Sequence, residues 1–461
     1  RHTGDFSMFR VYASKDNRPA AYSPQNVPYR PKKHFSISTK GVKEGDFTMI
    51  YGFPGNTQEY ILSDAVAYIA ERSDPAKIAV RTGRLDIITK AQESDPALRI
   101  HYAAKHASIA NAWKKWQGEA LGIDRRGTVA AKFDYETQFG LWSVGRPEYA
   151  GVVMGLRAEY DRIMDAYFAY EITRETLSTL PAAYTPEERS EECFARRKFA
   201  EQALWRHAFR EYGRCPKVYR TPSYAEGMAR YKSPEAYADA LFEAVWEGSD
   251  SVAMQPAVRL REETKRMLDH ISWMLGTKSL RNLNSKILNE LYTTYIKGLR
   301  EWDRERAFYP DANLTLRVAY GSVAGYEYAD GEYHKPQTTL DGIIAKDNPE
   351  IYDYDIPQSL RDLYASKNYG RWGTVIDGRR TVPVCFLATN HTTGGNSGSP
   401  VLNAGGELIG INFDRTWRST MSDIAFDPAI CRNIAVDIRY VLFVVDRVGG
   451  AGYLLKEMTL K

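Results

Sequence analysis

The chain has 461 residues, 43% of them hydrophobic, which is enough to bury a large core and to fill two or three domains. Lys and Arg number 62 against 58 Asp and Glu, so the net charge is only +4, too balanced to argue for a nucleic-acid partner. No run of about 18 apolar residues occurs, which excludes a membrane-spanning helix from the reading.

Aromatic residues make up 12% of the chain, 31 of them Tyr, a composition that suits binding of an organic ligand. The four cysteines, Cys193, Cys215, Cys385 and Cys431, have no metal-ligand spacing, and no metal or cofactor is expected. A Cys193–Cys215 pair and two buried thiols fit equally well. The sequence opens at Arg1-His2-Thr3-Gly4-Asp5 without an initiator Met or a signal peptide, as a processed or truncated chain would.

Phe6 to Ala13 alternates like a strand and is punctuated by Asn17-Arg18-Pro19. Phe35-Ser36-Ile37-Ser38 and Phe47-Thr48-Met49-Ile50-Tyr51 predict two more short strands, the second ending at Gly52-Phe53-Pro54-Gly55. These are too few to close a barrel and read as the tail of one. After Asn56 the pattern is helical to about residue 308. Met267, Ile271, Met274 and Leu275 fall on one helical stripe, and Leu288, Leu291, Tyr292, Tyr295 and Leu299 on another. Ser233-Pro234-Glu235 starts a helix with a cap residue and a proline in the first turn. These stripes are core, and no chemistry is assigned to them.

Around Phe308-Tyr309-Pro310 the pattern returns to β. Leu314 to Tyr320 predicts a strand, and Val382 to Leu387 another. The Tyr- and Asp-rich connection from Tyr333 to Trp372 is expected to be surface structure. Arg432 to Val445 predicts a strand that runs into a final helix.

Between these strands lies Gly395-Asn396-Ser397-Gly398-Ser399-Pro400, a glycine-flanked turn presenting one serine. Glycines on both sides allow backbone angles closed to other residues. Such a turn can aim the amides of Gly395 and Ser397 at one point, an oxyanion hole beside the hydroxyl. An ordinary Gly/Ser-rich hairpin loop would have the same composition. The sequel favours a nucleophile: Val401 to Phe413 reads as strand, Gly405-Gly406 turn, strand. The pattern resembles the nucleophile turn of chymotrypsin-type serine peptidases, with Asn396 where those enzymes usually carry an acid.

Taken as a whole, the chain resembles the dipeptidyl-peptidase 7 and 11 family of chymotrypsin-fold serine exopeptidases. The stretches that carry the resemblance are Arg1-His2-Thr3-Gly4-Asp5-Phe6-Ser7, Gly52 to Thr57, Ile109-Ala110-Asn111, Phe308 to Asn313, Thr393 to Pro400 and Asn412-Phe413-Asp414. They occur in the family's order across the chain. The resemblance implies a multidomain α+β architecture: the end of a first β-barrel over 1–56, an inserted all-helical cap domain over 57–310, and a complete second chymotrypsin-like barrel with the nucleophile and a C-terminal helix over 311–461.

It also implies roles. Asp5 matches the aspartate that orients the catalytic histidine, and Ser397 the nucleophile, with Gly395 and Ser397 forming the oxyanion hole. Asn111 and Asp414 match residues that hold the free amino group of the substrate, and Phe413 lies along the substrate. Arg415 occupies the position that in this family separates pockets for apolar side chains, with glycine, from pockets for Asp or Glu, with arginine. From the residues alone, Arg415 reads as a solvated strand end or as a partner of Asp414. The family's base lies upstream of the matched aspartate. Of the histidines here, His391 is expected to be a loop residue, and His2 belongs to a stretch that is not the base.

The expected function is therefore a serine dipeptidyl-peptidase that releases N-terminal dipeptides from oligopeptides, with Asp or Glu second. Two alternatives remain: a truncated or non-catalytic peptide-binding homologue, and a member of hydrophobic specificity. The resemblance further implies a homodimer and a periplasmic or cell-surface location in a Gram-negative bacterium.

Overall fold

The computed structural model describes residue 4 and residues 6–248, 250–277 and 283–461. The chain divides into two compact units, one made of Arg1–Gln58 with Asp311–Lys461, the other of Glu59–Pro310.

The first unit is built on a seven-stranded antiparallel sheet of β1 (Phe47–Gly52), β2 (Arg317–Ser322), β3 (Gln337–Thr339), β4 (Pro383–Ala388), β5 (Pro400–Leu402), β6 (Leu408–Arg415) and β7 (Asn433–Asp437). Their spatial order is β2-β1-β5-β6-β7-β4-β3. The sheet also returns on itself. A bridge pairs Val323 with Ala388, the Ala324 amide donates to the Leu387 carbonyl (3.1 Å), and the Thr389 amide donates to the Ser322 carbonyl (3.0 Å). Six strands thus form a continuous circuit from β2 through β1, β5, β6 and β7 to β4.

The strands form because their residues alternate. In β1, Thr48, Ile50 and Gly52 point inward and are buried. Ile50 joins Val323, Phe386, Val401, Ile409 and Ala435 in one cluster inside the circuit. Each of the Ile, Val and Phe side chains contributes about 1.5–3 kcal/mol by leaving water. A second and larger cluster, including Leu340, Ile343, Leu360, Tyr369, Trp372, Val382 and Phe443, lies under the short helix Ile438–Phe443 that follows β7.

Five expectations are corrected. The strand Phe47–Gly52 was expected in the tail of a first barrel, yet it lies between β2 and β5, with Ile50 opposite both Ala319 and Val401. Strand membership depends on partners far along the chain, which local alternation does not reveal. The connection from Tyr333 to Trp372 is not merely surface structure, since its short helices supply Leu340, Ile343, Leu360 and Trp372 to the larger cluster. The predicted strand Phe6–Ala13 shrinks to Tyr12–Ala13 paired with Val27–Pro28, and Phe35–Ser38 to bridges at Ile37. Phe9 is almost fully exposed, so the alternation there has no surface to cover it. β2 begins at Arg317 rather than Leu314, because Leu314 takes a left-handed φ of 67°.

The second unit is helical. Its main elements are α1 (Asp74–Ser94), α2 (Pro96–Arg125), α3 (Thr128–Ser143), α4 (Val152–Glu175), α5 (Lys198–Tyr212), α6 (Pro234–Glu247), α7 (Ser251–Met274) and α8 (Lys286–Trp302). A π-helical segment, Tyr68–Ser73, leads into α1. The boundary of α1 and α2 is set by Asp95, whose side chain accepts from the Ala97 amide (2.7 Å), and by Pro96 at the first helical position. Ser233 caps α6 as its sequence predicts, accepting from the Ala236 amide at 3.2 Å. Leu288, Tyr295 and Leu299 of α8 are buried, as are Ile271 and Leu275 at the end of α7. All four cysteines are free thiols. Among the described residues, no helix is long and apolar enough to cross a membrane.

Candidate active site

The turn between β4 and β5 is held by buried amide groups. Asn396 is buried, and its Oδ1 accepts from the Thr393 amide (3.1 Å). Its carbonyl accepts from Asn412 Nδ2 (3.2 Å), and Asn412 Oδ1 accepts from Asn433 Nδ2 (2.9 Å). The Gly398 amide donates to the Asn412 carbonyl (2.7 Å), and the Asn412 amide to the Ser399 carbonyl (2.9 Å). The turn is thereby tied to β6 and β7. Gly395 has a φ of 107°, open in practice only to glycine, and a Cβ there would collide with the Phe53 carbonyl just after β1.

On this frame Ser397 is exposed, and its hydroxyl donates to the Phe413 carbonyl at 3.1 Å. The amides of Gly395 and Ser397 donate to no acceptor among the described residues. A hydroxyl beside two such amides is an arrangement able to attack a carbonyl carbon and bind the oxygen that becomes negative.

Next to it, β6 carries a bulge. Its register against β7 shifts between Asn412 and Asp414, so Phe413 is the extra residue. The Phe413 side chain is exposed, and so is Asp414, whose Oδ1 accepts the Arg415 amide (2.8 Å). The Arg415 side chain goes elsewhere. Its Nη1 and Nη2 donate to Asp423 Oδ1 and Oδ2, the second bond at 2.9 Å, and both side chains are only 11% exposed. Nη1 also donates to Ser422 Oγ (2.8 Å) and reaches the Thr392 carbonyl (3.5 Å). Arg415 is therefore neither a solvated strand end nor a partner of Asp414. Sequence reasoning missed Asp423, which no spacing or local pattern marks.

His391 lies on the approach to the turn, as expected of a loop residue. Its Nε2 meets the Ser422 carbonyl at 3.1 Å, and its ring stacks on Phe426 with centroids 4.3 Å apart. Burial lowers its pKa from the ordinary imidazole value, against the opposing pull of Asp423. Among the described residues no imidazole hydrogen-bonds the Ser397 hydroxyl. His34 meets Thr459, His106 meets Thr89, and His207 meets the Val80 carbonyl. Asp5 and His2 lie outside the described residues. Asn111 belongs to the helical unit, exposed on α2.

One group of described side chains has the proximity of metal ligands: His101, Glu191 and Cys193 in the helical unit. Arg197 Nη1 sits 2.7 Å from His101 Nε2 and 2.9 Å from Glu191 Oε2. A guanidinium thus fills the place a cation would take.

A model of the Peptidase S46 family matches residues 1–192 and 189–460. The chain belongs to the Peptidase S46 family. Its relatives within that family include an Asp/Glu-specific dipeptidyl-peptidase of Capnocytophaga gingivalis, 40% identical over all of this chain and 70% of the relative. A dipeptidyl-peptidase 7 of Phocaeicola vulgatus is 32% identical over all of this chain and 69% of its own length. Among solved structures, Porphyromonas endodontalis DPP11 in complex with the dipeptide Arg-Glu matches all of this chain and 71% of that one, with 32% identity and a TM-score of 0.84. The mixed fold of many helices with a seven-stranded sheet matches that DPP11 structure.

Proposed function

We propose that this chain carries the nucleophile and the specificity pocket of a serine dipeptidyl-peptidase that releases N-terminal dipeptides ending in Asp or Glu. The observation that carries the reading is Arg415, a shielded guanidinium at the end of the strand beside Ser397. The similarity to relatives named Asp/Glu-specific supports it. In this reading the six-strand circuit is a chymotrypsin-type barrel.

Ser397 Oγ forms a bond to the carbonyl carbon of the second residue while its proton passes to a base, the histidine that Asp5 would orient. The carbonyl oxygen takes the electron pair and is held by the amides of Gly395 and Ser397. The C–N bond then breaks, the amine leaves with the proton, and water hydrolyses the Ser397 ester. Asp414 is exposed near the bulge and supplies a carboxylate for the substrate's ammonium. Phe413 lies along the dipeptide. By resemblance to the family, the protein is read as a homodimer, periplasmic or associated with the cell surface.

A second reading, a pocket for uncharged side chains, is favoured by the Asp423 carboxylate that neutralises Arg415. Digestion of a peptide mixture by the full-length protein, followed by mass spectrometry, separates the two. Released dipeptides ending in Asp or Glu are expected to dominate. Dominance of Leu or Phe at that position would overturn the acidic reading in favour of the second.

A further inference from the structure

We propose that Asp423 is an internal counter-ion that competes with the acidic side chain of the substrate for Arg415, and so limits how strongly the pocket holds acidic dipeptides. The inference rests on the reading of Arg415 as the cation of that pocket. The geometry is that of a substrate mimic. Asp423 presents two carboxylate oxygens to Nη1 and Nη2, the fork-on-fork pairing by which a guanidinium grips any carboxylate. Ser422 Oγ and the Thr392 carbonyl crowd the same Nη1, so this edge of the guanidinium is fully engaged.

The pairing answers a physical need. A shielded guanidinium without a counter-ion is strongly destabilising, so an acid-reading pocket needs something to hold its arginine between turnovers. An internal carboxylate does that, at a cost to recognition. An incoming Asp or Glu exchanges one carboxylate for another, or shares the guanidinium with a like charge, and either way gains less than it would from an unpaired arginine. The same exchange returns Arg415 to Asp423 when an acidic product leaves. Asp423 is therefore a specificity-determining residue that tempers the preference Arg415 creates.

The test uses the full-length protein and two nearly isosteric dipeptides, Leu-Glu and Leu-Gln, as competitive inhibitors of a chromogenic dipeptidyl substrate. The quantity read is the Ki of Leu-Gln divided by the Ki of Leu-Glu. Asp423→Asn keeps the shape and removes the charge, and is expected to raise this ratio at least about tenfold. Labelling of Ser397 by a serine-directed phosphonate reports that the variant is folded, and Asp423→Ser is read in the same way should the amide variant fail to fold. A ratio that is unchanged overturns the proposal. So does a ratio that falls, which would make Asp423 a support that positions Arg415. The double variant Arg415→Gly/Asp423→Asn tests the underlying reading separately, with an expected ratio near one. If it keeps the parent's ratio, Arg415 is not the pocket's cation, and the failure belongs to the proposed function.

Discussion

Arg415 and Ser397 lie at opposite ends of what a local pattern can convey. Ser397 stands out as a candidate because a serine-presenting turn depends on its immediate neighbours, the glycines at 395 and 398, and the structure gives Gly395 the φ of 107° that such a turn needs. Replacing Ser397 by Ala in the full-length protein is expected to abolish covalent labelling by a serine-directed phosphonate with little change in melting temperature, since an exposed hydroxyl contributes little to the core. Labelling that persisted at another serine would remove Ser397 from the nucleophile's role. Arg415 was legible as a position and not as an interaction, because Asp423 reaches it from the end of a 3-10 helical segment, Trp417–Asp423, that local pattern did not mark. The pair makes a second prediction. Arg415→Gly leaves the Asp423 carboxylate shielded and without its guanidinium, which costs about 3–5 kcal/mol of stability, and adding Asp423→Asn is expected to recover most of it. In that folded double variant, kcat/KM for X-Asp and X-Glu substrates should fall at least roughly a hundredfold, the equivalent of about 3 kcal/mol, while X-Leu is spared. Equal losses on acidic and apolar substrates would make Arg415 a structural residue only.

At the scale of elements, the hairpin of β5 and β6, the β7-to-helix passage and the long helical block were all readable, since each is a local alternation or a helical stripe with its own cap. What the sequence did not reveal is which strands meet. β1 is separated from both of its neighbours by the whole helical unit, and only the register of Ile50 with Ala319 and Val401 places it. The same non-locality hid the amide chain that holds the turn presenting Ser397, in which Asn396, Asn412 and Asn433 come from three different segments. Asn412 is the middle link, 2% exposed, and its side chain both donates and accepts. Asn412→Ala strands the Asn396 carbonyl and the Asn433 amide, so a loss of about 1–3 kcal/mol in chemical denaturation is expected. The rate of phosphonate labelling at Ser397 should fall with it, because the turn that aims the two amides loosens. A destabilised protein that still labelled at the parental rate would show that the turn holds its shape without Asn412.

At the scale of the whole molecule, the helical unit contains a group whose response to acid has a definite sign. Asp74 is fully buried at the start of α1, directly after the π-helical segment. Lys77 Nζ lies 3.0 Å from it and 3.2 Å from Glu171, while Glu171 also accepts from Tyr68 and Ser73. Burial pushes the Asp74 carboxyl up to about 7; the Glu119 charge adds to the shift, and Lys77 and Lys115 oppose it. In the unfolded chain the same group titrates near 3.9. Between those two values the folded state holds a proton that the unfolded state has lost, so this group's contribution is full below about pH 3.9 and is lost as pH rises through 7. His101 and His207, in the same unit, are lowered by burial and act in the opposite sense, taking up protons on unfolding below about 6.5, so the parent's own profile blends the two signs. Asp74→Asn isolates one of them. The amide cannot ionise, so the melting temperature of the variant minus that of the parent should widen from about pH 4 to pH 7 and stay level above it, with the variant the more stable by about 2–4 kcal/mol at the plateau. A difference that stayed constant with pH would mean that Asp74 is ionised throughout, with Lys77 holding the charge in place.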